Sequence, residues 1–527
     1  LASATAGGLA GGALGGAVQF RTLDPEDLIE DGKTFGMITK GVYDSIDESW
    51  RTNAAVAMRH ADTWLLVQGG YRQGHERDNK GDVGGYGATR TEPNPRDFDQ
   101  RNLLVKLHQY VEGGHRFGLT GEFFNRDDDI HNMVGTTSSY QQGTFRSGEE
   151  SNRRRVSGEY TFEAPDKGGF VDNARVIAYW QDQKLNNTVD ATRVKSSLGS
   201  IIPGDPFYYG YPFGPYQRDN WIKAETYGLS AAADKTIDRG GASHTLRFGG
   251  EIYGQKTTQY SQGLDNCPDV DWLLLPQPFG PQACRFLHSN ASDMPDVDSG
   301  VVGLFVEDDI RMFDDRLTIT PGLRFDWFRH DPRSTAAYED SPNYDTRYLK
   351  DNDGSRFSPK LRAAWQASPD LEIWGQWAQG FRAPTATELY QNYGQPGSYA
   401  RVGNPDLEPE TSSGFEIGFS KQGADYSVSG TVFNNYYRNF IDTVTVDSPD
   451  YPVAGITSNV NVARVQIYGA ELRGEWRFAD NWRSWASVAG AVGRDRDTDA
   501  YINSIPALRA ILGLGYAAEQ WGTDVSV

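Results

Sequence analysis

Apolar and polar residues alternate one by one along most of the chain. The alternation is clear at 317–328, 426–435 and 508–516, where apolar side chains recur at every second position. In the first stretch one face carries Leu317, Ile319, Leu323, Phe325 and Trp327, and the other carries Thr318, Thr320, Arg324 and Asp326. A period of two is typical of half-buried β-strands, and helical periodicity is essentially absent. The pattern predicts an all-β fold.

Short and long connections alternate between the predicted strands. The short ones lie at 111–115, 313–316, 368–370, 422–425 and 479–481. The long ones lie at 77–98, 127–149, 185–220, 258–296, 331–354, 382–409, 443–460 and 494–504. Membrane β-barrels have short turns on the periplasmic side and long loops outside, whereas loops of this length are uncommon in a compact soluble domain. We therefore predict a transmembrane antiparallel β-barrel.

The number of strands bears on the size of the barrel. From about residue 33 the pattern gives roughly nineteen strands, whereas bacterial barrels close on an even number. We expect about 22 strands in the complete barrel, the size class with a plugged lumen, and about three strands beyond this sequence.

The composition narrows the function classes. The chain has 527 residues and a formal net charge of -20, which argues against non-specific nucleic-acid binding because that requires a basic surface. The mean hydropathy is -0.60, and no run of about 18 apolar residues predicts a transmembrane helix. The chain has no Gly-x-Ser-x-Gly elbow, and HERDN at 75–79 lacks the second histidine of a zinc helix. We expect a protein that is not an enzyme.

The two cysteines, Cys267 and Cys284, lie close together in a Pro-rich stretch. A zinc site would need more Cys or His nearby. We predict a disulfide that closes a loop, which implies an oxidising compartment. Two free thiols are the alternative.

Two motifs carry a family resemblance. The first is the Gly-rich run at 11–16 with the extended segment QFRTLDPEDL at 19–28. The second is a pair of boxes around a long loop. The first box is Phe381, Arg382, Ala383 and Pro384, followed by Glu388, Leu389 and Tyr390. The second box is Asn404, Pro405, Asp406 and Leu407 with Pro409 and Glu410. In these motifs the chain resembles the TonB-dependent outer-membrane receptors, in particular their haem and haemoglobin branch. With a weaker match at 90–107, the resemblance covers the whole chain.

The resemblance implies an organisation and a function. Residues 1–30 would be the C-terminal remnant of a plug domain and 31–527 the barrel, with sequence missing at both ends. The protein would lie in the outer membrane of a Gram-negative bacterium, in contact with lipid and lipopolysaccharide. It would take up haem, free or from a haem protein, as a transported ligand and not as a permanently bound cofactor. Energy would come from the TonB–ExbB–ExbD complex. The alternatives are a receptor for a ferric siderophore or another small nutrient, and a passive porin or adhesin barrel.

The loop between the boxes departs from the family pattern. Haem receptors of this class carry a histidine there, taken as an axial ligand of the iron, but no histidine lies between Pro384 and Asn404. The loop has Tyr390, Tyr393 and Tyr399 instead, and a tyrosinate can ligate haem iron. Tyr390 belongs to the box, so Tyr393 and Tyr399 are the better candidates. The alternative is that all three are loop aromatics that pack or stack on cargo.

Other polar groups are weaker candidates. His131, in NRDDDIHNMVG, is the alternative iron ligand, and the adjacent Asp127–Asp129 fits no EF-hand register and is expected to be a solvated acidic tip. Arg153–Arg155 is expected at a strand start near the outer rim, either attracting propionates or lipopolysaccharide or forming a rim charge cluster. The histidines expected to have no specific role are His60, His108, His115, His244 and His330.

Overall fold

The computed structural model describes residues 12–14, 21–164, 168–194, 214–265, 290–395, 399–502, 505–506 and 508–527. Its strands are β1 (Gly12–Ala13), β2 (Phe35–Asp44), β3 (Ser49–His60), β4 (Thr63–His75), β5 (Arg96–Val111), β6 (His115–His131), β7 (Arg146–Glu163), β8 (Asn173–Arg193), β9 (Gly214–Arg239), β10 (Ala242–Asp265), β11 (Asp296–Met312), β12 (Leu317–Arg333), β13 (Asn352–Ser368), β14 (Leu371–Arg382), β15 (Tyr393–Gln395), β16 (Tyr399–Val402), β17 (Glu410–Gln422), β18 (Tyr426–Ser448), β19 (Tyr451–Ala479), β20 (Trp482–Asp495), β21 (Arg509–Ala517) and β22 (Gly522–Ser526). Two short helices, α1 (Ala336–Glu339) and α2 (Ala386–Tyr390), and two 3-10 turns, Pro25–Asp27 and Thr346–Tyr348, complete the elements. Across these ranges no helix is long and apolar enough to span a membrane.

Nineteen strands form one antiparallel meander. They are the thirteen strands from β2 to β14 and the six from β17 to β22, and each pairs with its neighbour along the chain. Among the described pairings β2 pairs only with β3, and β22 only with β21, so the barrel wall is open between these two strands. The all-β antiparallel barrel and the tally of nineteen strands are confirmed.

The two faces of the sheet differ in chemistry. Large apolar side chains such as Leu304 and Leu323 are exposed on the outer face. Arg324 and Asp326 occupy alternate positions on β12 and are buried toward the interior, where their side chains form an ion pair at 2.8 Å. Because successive side chains of a strand point to opposite faces, the period of two in the sequence separates a membrane face from a polar lumen. The alternation predicted for 317–328 is confirmed.

The connections follow the predicted alternation with one clear correction. The five short connections predicted above separate β5 from β6, β11 from β12, β13 from β14, β17 from β18, and β19 from β20. The expected long loop at 443–460 is wrong, because β18 and β19 continue as a hairpin joined by Pro449 and Asp450. The β-branched residues at 443–446 favour strand, and the Thr445 and Thr457 hydroxyls hydrogen-bond across the pair at 3.0 Å.

The segment before the first barrel strand is attached to the interior wall. Lys106 donates to the carboxylate of Asp24, and Nδ1 of His108 lies 2.8 Å from a carboxylate oxygen of Glu26. The Tyr110 hydroxyl donates to the same Glu26 carboxylate at 2.7 Å. His108, expected to have no specific role, therefore fixes this segment at the end of the barrel where the short turns lie.

Candidate cargo-binding site

A long connection, residues 383–409, follows the thirteenth barrel strand, and we call it the box loop. It starts with α2, for which TATELY supplies the capping-box pattern of Thr followed three residues later by Glu. The Glu388 amide donates to the Thr385 hydroxyl at 3.3 Å, and the Thr385 amide donates to the Glu388 carboxylate at 2.7 Å. Local sequence therefore fixes the first turn of the loop.

One arginine joins the two ends of the box loop. Arg382 donates to the Glu388 carboxylate through Nη1 and Nη2, each at 3.2 Å, and through Nε to Glu410. Glu410 is buried and also accepts the Ile441 amide at 2.7 Å. Burial raises the pKa of Glu388, but Arg382 and the Thr385 amide outweigh burial and hold that pKa below its usual value. The Arg382–Glu388–Glu410 triad makes the two boxes one structural unit.

Apolar side chains of the box loop pack against the interior wall. Leu389, Tyr390 and Leu407 are buried in one cluster, whose other members are Met294, Val297, Ala386 and Ile441. The Tyr390 hydroxyl donates to the Lys350 carbonyl at 2.9 Å, and burial raises the pKa of this phenol. Because the oxygen that would ligate iron is enclosed and already bonded, the geometry gives Tyr390 a structural role.

Phe381 and the residues beside it cover the inner face of neighbouring strands. The Phe381 ring is buried against Val301 and Phe328, with Ala383 packed beside them. The Phe328 and Phe381 rings have centroids 5.9 Å apart. The end of β14 is therefore packed against the interior wall at the point where the box loop begins.

His330 is hydrogen-bonded to the last residue of the first box. Its Nε2 lies 3.0 Å from the Pro384 carbonyl, and its Nδ1 lies 2.7 Å from the Ser299 hydroxyl. A carbonyl only accepts, so Nε2 carries the proton and Nδ1 accepts from Ser299. The expectation that His330 has no specific role is wrong, since its partner lies 54 residues away and the sequence carries no sign of the contact.

Tyr393 and Tyr399 stand together at the tip of the box loop. They lie on β15 and β16, a small hairpin whose second strand adds in parallel to β19. Their ring centroids are 6.4 Å apart with an edge-to-face angle of 79°, and Tyr399 is 41% exposed. Burial raises the pKa of the Tyr399 phenol, Tyr393 and Asp293 add to the rise, and Arg218 opposes it. The fold thus places the two phenols next to each other on a hairpin that pairs with β19.

The other sequence candidates lie elsewhere. His131 ends β6, eight strands along the sheet from β14, with its ring centroid 6.2 Å from that of Tyr86. Its neighbour Asp128 is buried in ion pairs with Arg96 and Arg126 at 2.7 and 2.9 Å. The expected solvated acidic tip is wrong, since Asp127–Asp129 belongs to a strand. Within the described ranges no cluster of acidic, histidine or cysteine side chains could hold a metal ion.

Arg153–Arg155 lies in the middle of β7, which begins at Arg146, so its expected place at a strand start is wrong. Arg153 pairs with Glu122 at 3.2 Å, and the Arg155 guanidinium lies 4.3 Å from the Tyr179 ring centroid. These contacts involve Arg153 and Arg155, whereas Arg154 lies on the opposite face of the strand and is exposed. Cys267 and Cys284 lie outside the described residues.

Comparison with known families decides the membership of the chain. The family "TonB dependent receptor-like, beta-barrel" matches residues 90–527. The chain belongs to this TonB-dependent receptor family. Its members are transport receptors, which agrees with the expectation drawn from the two boxes.

Individual relatives are distant. This receptor is 22% identical to the "Hemoglobin-haptoglobin utilization protein B" of Neisseria meningitidis serogroup C, over 97% of this chain and 68% of the relative. It resembles the solved Serratia marcescens hemophore receptor HasR in complex with its hemophore HasA and heme, with a TM-score of 0.68 and 18% identity over 98% of this chain and 76% of that one. It also resembles the copper transporter OprC, with a TM-score of 0.64 and 15% identity over 95% and 67%. The structural likenesses show the fold alone.

Two asparagines complete the support of the second box in this receptor. The side-chain amide of Asn352 donates to the backbone carbonyls of Pro405 and Leu407 at 3.0 and 2.9 Å. The side-chain amide of Asn404 donates to the backbone carbonyl of Asn459 at 3.0 Å. Asn352 and Asn459 were not among the sequence candidates, because each lies about 50 residues from its partner and belongs to no motif of its own.

Proposed function

We propose that this receptor takes up haem, free or from a haem protein, across the outer membrane of a Gram-negative bacterium. The observation that carries the proposal is the pair of phenols, Tyr393 and Tyr399, at the tip of a loop braced from both ends. Relatives named for hemoglobin-haptoglobin utilization and for heme/hemopexin utilization support it. The box loop captures the cargo, and a plug domain gates the lumen.

Tyr393 or Tyr399 would ligate the haem iron in place of the family's loop histidine. A phenolate is an established axial ligand of haem iron. Ligation requires loss of the phenol proton, and a metal drives that loss because binding and deprotonation are coupled. Burial raises the pKa of the Tyr399 phenol, so iron would have to displace the phenol proton on binding. Because a phenolate is negatively charged, this site would hold the ferric form of the cargo more strongly than the ferrous form.

The remaining parts of the transport cycle follow from the family. Residues 1–30 would be the end of the plug and 31–527 the barrel wall. A barrel of about 22 strands is wide enough to need a plug. Energy would reach the plug through TonB, ExbB and ExbD from the inner membrane. The outer face, which exposes side chains such as Leu304 and Leu323, would contact membrane lipid and lipopolysaccharide.

Hemin absorbance tests the assignment. Purified intact receptor titrated with hemin is expected to give a high-spin spectrum. Tyr393→Phe or Tyr399→Phe should abolish this spectrum, whereas Tyr501→Phe should leave it unchanged because Tyr501 lies in the connection between β20 and β21. His131→Ala examines the alternative ligand in the same titration. If hemin causes no shift while a ferric siderophore binds, the cargo is a siderophore and the haem proposal fails.

A further inference from the structure

The short strand β1 pairs with the end of β14. Gly12 lies opposite Arg382 and Ala13 opposite Phe381, in antiparallel register. The ladder between β13 and β14 stops at the pair Lys360 and Ala378. Beyond that point β1 occupies the edge of β14 that β13 leaves, because an unpaired strand edge needs partners for its amides and carbonyls.

A side chain of the next strand also holds β1. The Ser412 hydroxyl donates to the Leu14 carbonyl at 2.8 Å, and Ser412 is buried. Ser412 lies on β17 directly opposite Gly380 of β14. The Ser412 hydroxyl therefore links β17 to the segment that pairs with the end of β14.

The same end of β14 carries the box loop. Arg382 pairs with β1 through its backbone and holds Glu388 and Glu410 through its guanidinium. Phe381 pairs with β1 through its backbone and packs on Val301 with its ring. Two adjacent residues therefore support both the segment that precedes the barrel and the base of the box loop.

We propose that β1 is a detachable edge strand that couples the plug to the box loop. While β1 is paired, the end of β14 keeps the position from which Arg382 and Phe381 brace the loop. When the plug is displaced, β1 leaves, the β14 edge loses its partners, and the base of the loop loosens. Cargo held by the loop is released in the same event.

Coupling of this kind is reciprocal. Cargo that orders the box loop also stabilises the β14 end, and so favours the paired state of β1. A receptor with cargo bound would therefore hold its plug strand more firmly than an empty one. This inference rests on the proposed assignment of residues 1–30 to the plug and on the β1 contacts; only its hemin measurement depends on the proposed haem cargo.

The test uses Ser412→Ala in the intact receptor, with Ser413→Ala as the matched control. Ser413 is the neighbouring serine on β17, and its hydroxyl instead accepts from the Trp377 indole at 3.1 Å. Amide hydrogen exchange of the empty receptor is read at 12–14 and 386–390. Loss of one hydrogen bond should raise exchange at 12–14 about fivefold in Ser412→Ala, and exchange at 386–390 should rise with it. Ser413→Ala should change neither, and Ser412→Thr, which keeps the hydroxyl, should restore wild-type exchange.

The results that overturn the inference differ from those that overturn the haem proposal. If Ser412→Ala raises exchange at 12–14 and leaves 386–390 unchanged, the strand and the loop are not coupled. If exchange at 12–14 does not rise, Ser412 does not hold β1. Hemin added to the wild type should slow exchange at 12–14. Hemin that binds without this effect refutes the coupling, whereas failure of hemin to bind refutes only the haem proposal.

Discussion

Arg382→Gln is expected to open the box loop without unfolding the barrel. Among the described residues, the change leaves Glu410, which is 2% exposed, with the Ile441 backbone amide as its remaining hydrogen-bond donor. Removing one partner of a buried ion pair costs about 3–5 kcal/mol. The Arg382 side chain is 29% exposed, and water there offsets part of the loss, so we expect the lower end, about 3 kcal/mol. The strand ladders do not depend on this pair, so the cost falls on the loop.

Hydrogen exchange measured by mass spectrometry gives the free-energy cost to the box loop directly. A cost of about 3 kcal/mol raises the opening constant of the loop about 100-fold, and exchange at 385–395 and 403–410 should accelerate by that factor. Lys350→Gln is the control, because Lys350 pairs with Asp406 of the same loop while the two side chains are 63% and 71% exposed. An exposed pair contributes about 0–1 kcal/mol, which limits the control to about a fivefold change.

Two results would refute this reasoning. If Arg382→Gln leaves loop exchange within the range of the control, the triad does not hold the boxes together. Equal acceleration by Lys350→Gln would mean that any charge change loosens the loop, and that burial of Glu410 plays no part. Protection of the barrel strands must stay unchanged in both variants, since its loss would indicate global unfolding.

Three further predictions use the same structure. Leu304→Arg places a charge on the outer face where Leu304 is 52% exposed, and should lower the free energy of unfolding in lipid vesicles, by up to about 2–4 kcal/mol, the cost at the bilayer midplane. Asn352→Leu leaves the carbonyls of Pro405 and Leu407 without their donor, which should cost about 1–3 kcal/mol and speed exchange at 403–410. The Glu388 pKa is held below its usual 4.5, so its stabilisation of the loop is complete above pH 4.5 and is lost as pH falls through the lowered value. Protease cleavage of the loop should rise on acidification below that pH, and Glu388→Gln should remove this dependence.

The sequence predicted the barrel well because the information is local. Each strand shows its two faces in its own alternation, and each short turn lies within a few residues of the strands it joins. Strand ends were less predictable. The hairpin at 443–460 contains turn-forming Pro449 and Asp450 together with β-branched residues. Only pairing with a partner strand determines that the β-branched residues form strand and not loop.

The box loop shows what the tertiary structure alone decided. Its position after the thirteenth strand and its three tyrosines were evident from the chain, and the boxes were evident from a family resemblance. Packing separates the enclosed hydroxyl of Tyr390 from Tyr393 and Tyr399 at the loop tip. The roles of His330 and Asn352 depend on contacts across 54 and 53 residues of chain. Alternation along a strand specifies which face a side chain takes, but contacts between distant segments depend on how the strands are ordered around the barrel.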